Sequence, residues 1–139
     1  MPNHDAVDLK NSSSVHSGTF GNKSVVAKTV SVPSGAAIAD VARFAEVPAG
    51  TIITDFRRVN DALGGTAQMS FGLRAKDGTS NVDDALVAAA SVAAAGNARM
   101  IKKPVVVAKD SYVVGVLSAS ATAALGDVDV VLDYVYEGQ

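Results

Sequence analysis

Apolar and polar residues alternate with a period of two in several stretches of this chain, the signature of half-buried β-strands. The clearest stretch lies near its end. Val128, Val130, Leu132, Tyr134 and Tyr136 share one face, with Asp129, Val131, Asp133 and Val135 on the other. In the middle, Ala67, Met69, Phe71 and Leu73 face one way and Gln68, Ser70, Gly72 and Arg74 the other. Further strands read at residues 24–32, 51–60, 98–102, 104–109 and 112–118. Residues 38–47 fit two periods: Ile38, Val41, Ala42 and Ala45 would suit a helical stripe, whereas Val41, Arg43 and Ala45 also alternate with Ala42, Phe44 and Glu46. The flanking turns, Pro33-Ser34-Gly35 and Pro48-Ala49-Gly50, leave little room for a capped helix and favour a strand.

Residues 81–96 (NVDDALVAAASVAAAG) change character, because alanine is the best helix former. Asn81 or Asp83 would cap the start, the Asp83-Asp84 pair suits the positive end of a helix dipole, and Gly96 would end the helix. The expectation is one short helix or helical loop near residues 83–95. With about eight strands around it and Gly, Pro or Asp turns between them, residues 24–139 predict an all-β domain: a two-sheet antiparallel sandwich, barrel or jelly roll. Residues 1–23 are rich in Asn, Ser, Gly and Asp, and their apolar side chains (Val7, Leu9, Val15, Phe20) are isolated. Such a stretch cannot bury enough surface to offset its ordering entropy, so it reads as an arm that is mobile alone, with or without a role.

Composition narrows the function. At 139 residues the chain makes one domain, long enough for a real core. It has no cysteine, so neither a disulfide framework nor a Cys-based zinc site is expected. The formal charge is −2, from 12 basic and 14 acidic residues, without the Lys/Arg stripe that a nucleic-acid binder needs. The polar start gives no sign of a leader, and no stretch is apolar enough to span a membrane. Alanine and valine carry most of the 48% apolar content and aromatics only 5%, which suits thin sheet-on-sheet layers and close interfaces.

Reactive groups are sparse. Both histidines, His4 and His16, sit in the arm, so residues 24–139 carry no His, Cys or Trp. A Ser-His-Asp triad would require the arm to dock on the body. The pairs Asp83-Asp84 and Asp127/Asp129 lack the ligand spacing of a calcium loop and read as solvated structural acids. Gly64-Gly65 is a turn, not a phosphate-cradling loop. Arg57-Arg58 and Lys102-Lys103 are the adjacent basic pairs; on a strand each shows one charge per face, which suits a solvated surface or a protein partner. No enzyme activity, cofactor, metal or small-molecule substrate is expected.

The order of segments carries a resemblance. A strand leads through Val32-Pro33-Ser34-Gly35 into IADVARFAEVPAGTIITDFRRVNDALGG, then MSFGLRAKDG, the Ala-rich DALVAAASVAAAG and a closing VDVVLDYVYEG. From Ser24 to Gly138 this resembles the jelly-roll cement, or decoration, proteins of tailed-bacteriophage (podovirus) heads. The resemblance implies a virion protein on the outer surface of the capsid, made in the host cytoplasm. It would bridge neighbouring major capsid protein subunits, as a homo-oligomer (dimer or trimer), with no nucleic acid or membrane as partner. On that reading Leu9, Val15 and Phe20 of the arm would anchor to the capsid with Arg57 and Arg58, and an exposed edge strand could add a capsid segment. The alternative is a receptor- or glycan-binding β-sandwich of a tail or fibre, which would want surface aromatics; the chain has three Tyr, four Phe and no Trp.

Overall fold

The computed structural model describes residues 3–5 and 23–136, and among them it contains ten strands and no helix. In chain order these are β1 (Asn3–Asp5), β2 (Lys23–Val32), β3 (Val41–Val47), β4 (Thr51–Asn60), β5 (Gln68–Ala75), β6 (Asn81–Ser91), β7 (Gly96–Arg99), β8 (Val105–Val106), β9 (Ser111–Ser118) and β10 (Gly126–Tyr136). They form two sheets, in the orders β1-β3-β9-β5-β6 and β2-β10-β4-β7, with β8 also paired to β4. All pairings are antiparallel except β1 with β3, which runs parallel through Asn3↔Val41 to Asp5↔Arg43. From β2 to β5 the strands alternate between the sheets, β6 then stays beside β5, and β10 returns to lie between β2 and β4. This is a jelly-roll sandwich, as the sequence led us to expect. β1 falls within the stretch 1–23 read as an arm.

The alternating faces explain the core. In β10, Val128, Val130, Leu132 and Tyr134 are buried, and in β5 Met69 and Phe71 are. Three fully buried rings join the sheets: Phe71 of β5 lies 5.9 Å from Phe44 of β3 and 5.4 Å from Phe56 of β4, centroid to centroid, in tilted pairs. Gly115 of β9 makes room for them, since a Cβ there would stand 2.7 Å from Met69 and 2.9 Å from Phe71. The other face of the five-stranded sheet has a small cluster of its own, Val41, Val114 and Val116, with Tyr112 packed beside it. The Arg43 guanidinium lies 4.8 Å from the centre of the Tyr112 ring.

The helix expected near residues 83–95 is absent. Those residues are mostly strand β6, paired with β5 from Gln68↔Ser91 to Arg74↔Asn81. The pairing bulges: Phe71 faces Val87, but Leu73, two residues on, faces Val82. Gly72 sits under this bulge, where the Val82 carbonyl oxygen lies 2.0 Å from the place a Cβ would take. Tertiary context overrides alanine's helix propensity here. A helix would offer mainly alanine methyls to the core. The strand buries Leu86 and Val87, delivers Val92 to the core just beyond its end, and completes the hydrogen bonding of β5. Asp83, read as a possible cap, instead holds Arg74 in a two-pronged ion pair (2.7 and 2.9 Å). The strand expected at 98–102 is β7 and ends at Arg99, and that at 104–109 shrinks to the two residues of β8.

Candidate docking surfaces

Because the strands run up and down, the loops sort to two ends of the sandwich, and the ends differ chemically. One end gathers residues 33–40, 61–67, 92–95 and 119–125, which are almost wholly Ala, Gly, Ser, Thr, Pro, Val, Ile and Leu. The charges in these loops are Asp40 and Asp61. Asp40 is buried, and its carboxylate accepts the Ala37 amide at 3.0 Å. The Asp61 carboxylate accepts the Asp127 amide at 3.0 Å. Ile38 and Leu125 stand out from this end at 57% and 68% exposure. The opposite end carries Lys76, Asp77, Lys109 and Asp110, with Lys76 paired to Glu46 (3.1 Å) and Lys109 to Asp77 (3.6 Å).

The uncharged end is tied together. Gly35 donates to the Thr122 carbonyl and Thr122 to that of Ala36, while the Thr122 hydroxyl accepts the Ala36 amide and donates to Pro33. Ala123 and Ala124 both donate to Leu63, and Thr66 donates to the Ser120 hydroxyl. Two alanines adopt the left-handed backbone region here, Ala39 (φ 72°) and Ala119 (φ 68°). Such strain persists only where the surroundings over-determine it. Apart from the exposed Asp61 carboxylate this tied end presents apolar and small side chains, so it loses little entropy and desolvates few charged groups when a partner covers it.

The basic pair of β4 splits across the sheet as its alternation requires. Arg57 is exposed. Arg58 is 2% exposed and lies inside, where its guanidinium donates to the Asn60 side chain and to the Ser91 carbonyl (3.2 Å), leaving Nε without a partner. Burial pulls its pKa below the usual guanidinium value. Asn60 in turn donates to the carbonyls of Asp61, Val92 and Ala94, pinning the 92–95 loop. Arg58→Ala is expected to cost about 1–3 kcal/mol, because buried acceptors lose their donor. Arg58→Lys should recover only part of this, since an ammonium lacks the guanidinium fork. Urea unfolding checks both; an Arg58→Ala loss below about 0.5 kcal/mol would contradict the role.

Beside Arg57, the outer face of this sheet is a mosaic of paired charge and valine. Asp55 takes a two-pronged contact from Arg99 (2.5–3.2 Å), Lys23 meets Asp133 at 3.1 Å, and Val25 and Val59 are exposed between them. The Arg99 hydrogen bond holds the Asp55 carboxyl below its ordinary pKa. Leu9, Val15 and Phe20 lie outside the described residues. Sequence reasoning missed the uncharged end, because neighbouring loops come from four separate segments and only the strand directions assemble them.

Among the described residues no three His, Cys, Asp or Glu side chains gather. No helix there is long and apolar enough to cross a membrane. The described aromatics form no open cluster: Phe44, Phe56, Phe71 and Tyr134 are buried, Tyr112 is packed in the outer valine cluster, and Tyr136 is half-buried at the end of β10.

No protein-family model matches the chain, and no curated protein does. Solved structures do. The chain superposes on a chain in the capsid of Ralstonia phage GP4 with a TM-score of 0.79 at 15% identity, covering 99% of this chain and 100% of that one. A chain in the capsid asymmetric unit of cyanophage Pam1 matches at 0.69 and 22% identity, over 88% and 91%. One in the acidic stable capsid of Helicobacter pylori bacteriophage KHP30 matches at 0.57 and 12%, over 84% and 90%. At these identities the likeness is one of fold.

Proposed function

We propose that this chain is a non-enzymatic structural protein of a bacteriophage virion, a cement or decoration protein that binds the outside of the head and bridges neighbouring major capsid protein subunits. One observation carries the reading: the superposition takes in the whole of a chain from the Ralstonia phage GP4 capsid, so a chain made of this one jelly roll is a component of a phage head. The sparse reactive chemistry of the body and the tied, uncharged loop end support it.

In this reading the uncharged end rests on the shell, with Ile38 and Leu125 as apolar anchors. A specific contact buries about 1,200–2,000 Å² in all. An oligomer, dimer or trimer, gains further, because once one copy is bound the others engage at high effective concentration. Leu9, Val15 and Phe20 would add apolar anchors from the N-terminal segment, and Arg57 a charge at the rim. Arg58 lies inside and would act only by holding β4 and the 92–95 loop.

The test is co-sedimentation with heads that lack the protein. The wild-type chain should sediment with them, and the Ile38→Asp/Leu125→Asp variant should bind at least about tenfold more weakly, since each aspartate puts a charge where an apolar side chain is to be covered. Both sites are exposed, so thermal unfolding should hardly change. Equal binding of the variant would remove the loop end from the interface. No binding by the wild type would overturn the function.

A further inference from the structure

A second apolar surface lies on the flank of the sandwich, away from the uncharged end. A groove of about 240 Å³ opens between the start of β6 and β8, floored by Leu73, Ala85, Val105 and Val107. Its two walls are edges: β6 pairs only with β5, and β8 only with β4, among the described residues. The rim leaves Val82 and Val106 about half or more exposed (49% and 66%). Ile101 is 94% exposed. It projects from the segment between β7 and β8 next to the groove; the following residue, Lys102, reaches β6 by donating to the Asp84 carbonyl at 2.6 Å. An isoleucine this open beside an apolar groove is a costly arrangement for a lone chain.

We infer that this flank is the interface between two copies of the chain, related by a twofold axis, with Ile101 of each copy seated in the groove of the other. The occupant follows from self-complementarity. A twofold contact requires one patch to carry both halves of the fit, and this patch has both the knob and the hollow. It also carries both signs of charge. Lys102 and Lys103 follow the knob, while the exposed Asp84 stands on β6 between the groove residues Val82 and Ala85, its side chain in no ion pair among the described residues. In such a pair Lys103 of one copy would meet Asp84 of the other, a contact of opposite charges that fixes register and disfavours a mismatched partner. Pairing two copies also covers the open edges of β6 and β8, which would otherwise invite uncontrolled strand pairing. The inference stands apart from the capsid reading: it needs no shell, and it uses a different face.

Sedimentation equilibrium of the full chain tests it. The wild type should dimerise. Ile101→Asp should weaken the dimer about a hundredfold or more, because two buried isoleucines are lost per dimer. Its melting as a monomer should be unchanged, since the side chain touches little in the single chain. Asp84→Lys, which places like charges across the interface, should weaken the dimer and make it recover with salt. A wild type that stays monomeric, a dimer or trimer indifferent to Ile101→Asp, or a groove that fills only when the chain meets another protein would each overturn the inference. Head binding that fails while the dimer persists would count against the capsid reading alone.

Discussion

Phe71→Ala is expected to destabilise the protein by about 3–5 kcal/mol, the cost of removing a buried ring and leaving the cavity incompletely filled. Phe71 is the middle member of the three-ring cluster, touching Phe44 in its own sheet and Phe56 across the sandwich. All three are fully buried, and with aromatics so few in this chain no other ring is at hand to refill the space. Elsewhere the core is mainly valine and alanine, whose β-branched or single-carbon side chains cannot extend into a void. Since domains of this size hold about 5–15 kcal/mol in total, the variant should sit near the edge of folding. Urea unfolding checks it: the midpoint should fall with little change in slope. Phe71→Leu should lose much less, and a Phe71→Ala loss below about 1.5 kcal/mol would show that the sheets are not joined through this ring.

The second large effect is expected at Gly72. A Cβ added there meets the Val82 carbonyl oxygen at 2.0 Å and the Asp83 carbonyl carbon at 2.5 Å. Both atoms are backbone, so no side-chain rotation relieves the clash and β6 must lift away. Gly72→Ala should therefore cost about 3 kcal/mol, at the upper end of what overpacking does. Lifting β6 would also separate Asp83 from Arg74 and uncover Leu86. Hydrogen exchange gives a local signature: amides of β6 should lose protection more than those of β4 and β10, which belong to the other sheet. Unchanged melting and exchange would mean that the bulge can move freely and that Gly72 is not what seats it.

The sequence revealed those parts of the fold that depend on period. The phase of β10 and β5 could be read because one face of each is apolar throughout while the other carries most of the polar residues, Asp127, Asp129 and Asp133 in β10 and Gln68, Ser70 and Arg74 in β5. The same phase puts Arg57 and Arg58 on opposite faces without saying which points inward; the structure buries Arg58, so of the two arginines expected at the capsid only Arg57 is exposed. β6 was illegible for a physical reason. Alanine contributes little contrast between faces, and what makes residues 81–91 a strand is the unfilled edge of β5 and the bare backbone of Gly72, neither of which is local information. The uncharged end was hidden differently: each of its loops looks like an ordinary turn, and the property emerges only when four are collected. Ile101 is the same case, an unremarkable apolar residue until the strands leave it open beside a groove.

The central claim is that a rigid, chemically quiet jelly roll works by gripping a phage shell with its uncharged loop end. A cryo-electron microscopy difference map of heads with and without the protein tests this most directly. The account predicts added density on the outer surface, straddling more than one major capsid subunit, with residues 33–40 and 119–125 against the shell. Absence of the protein from the head, or density that meets the shell through the charged end bearing Lys76 and Lys109, would contradict it.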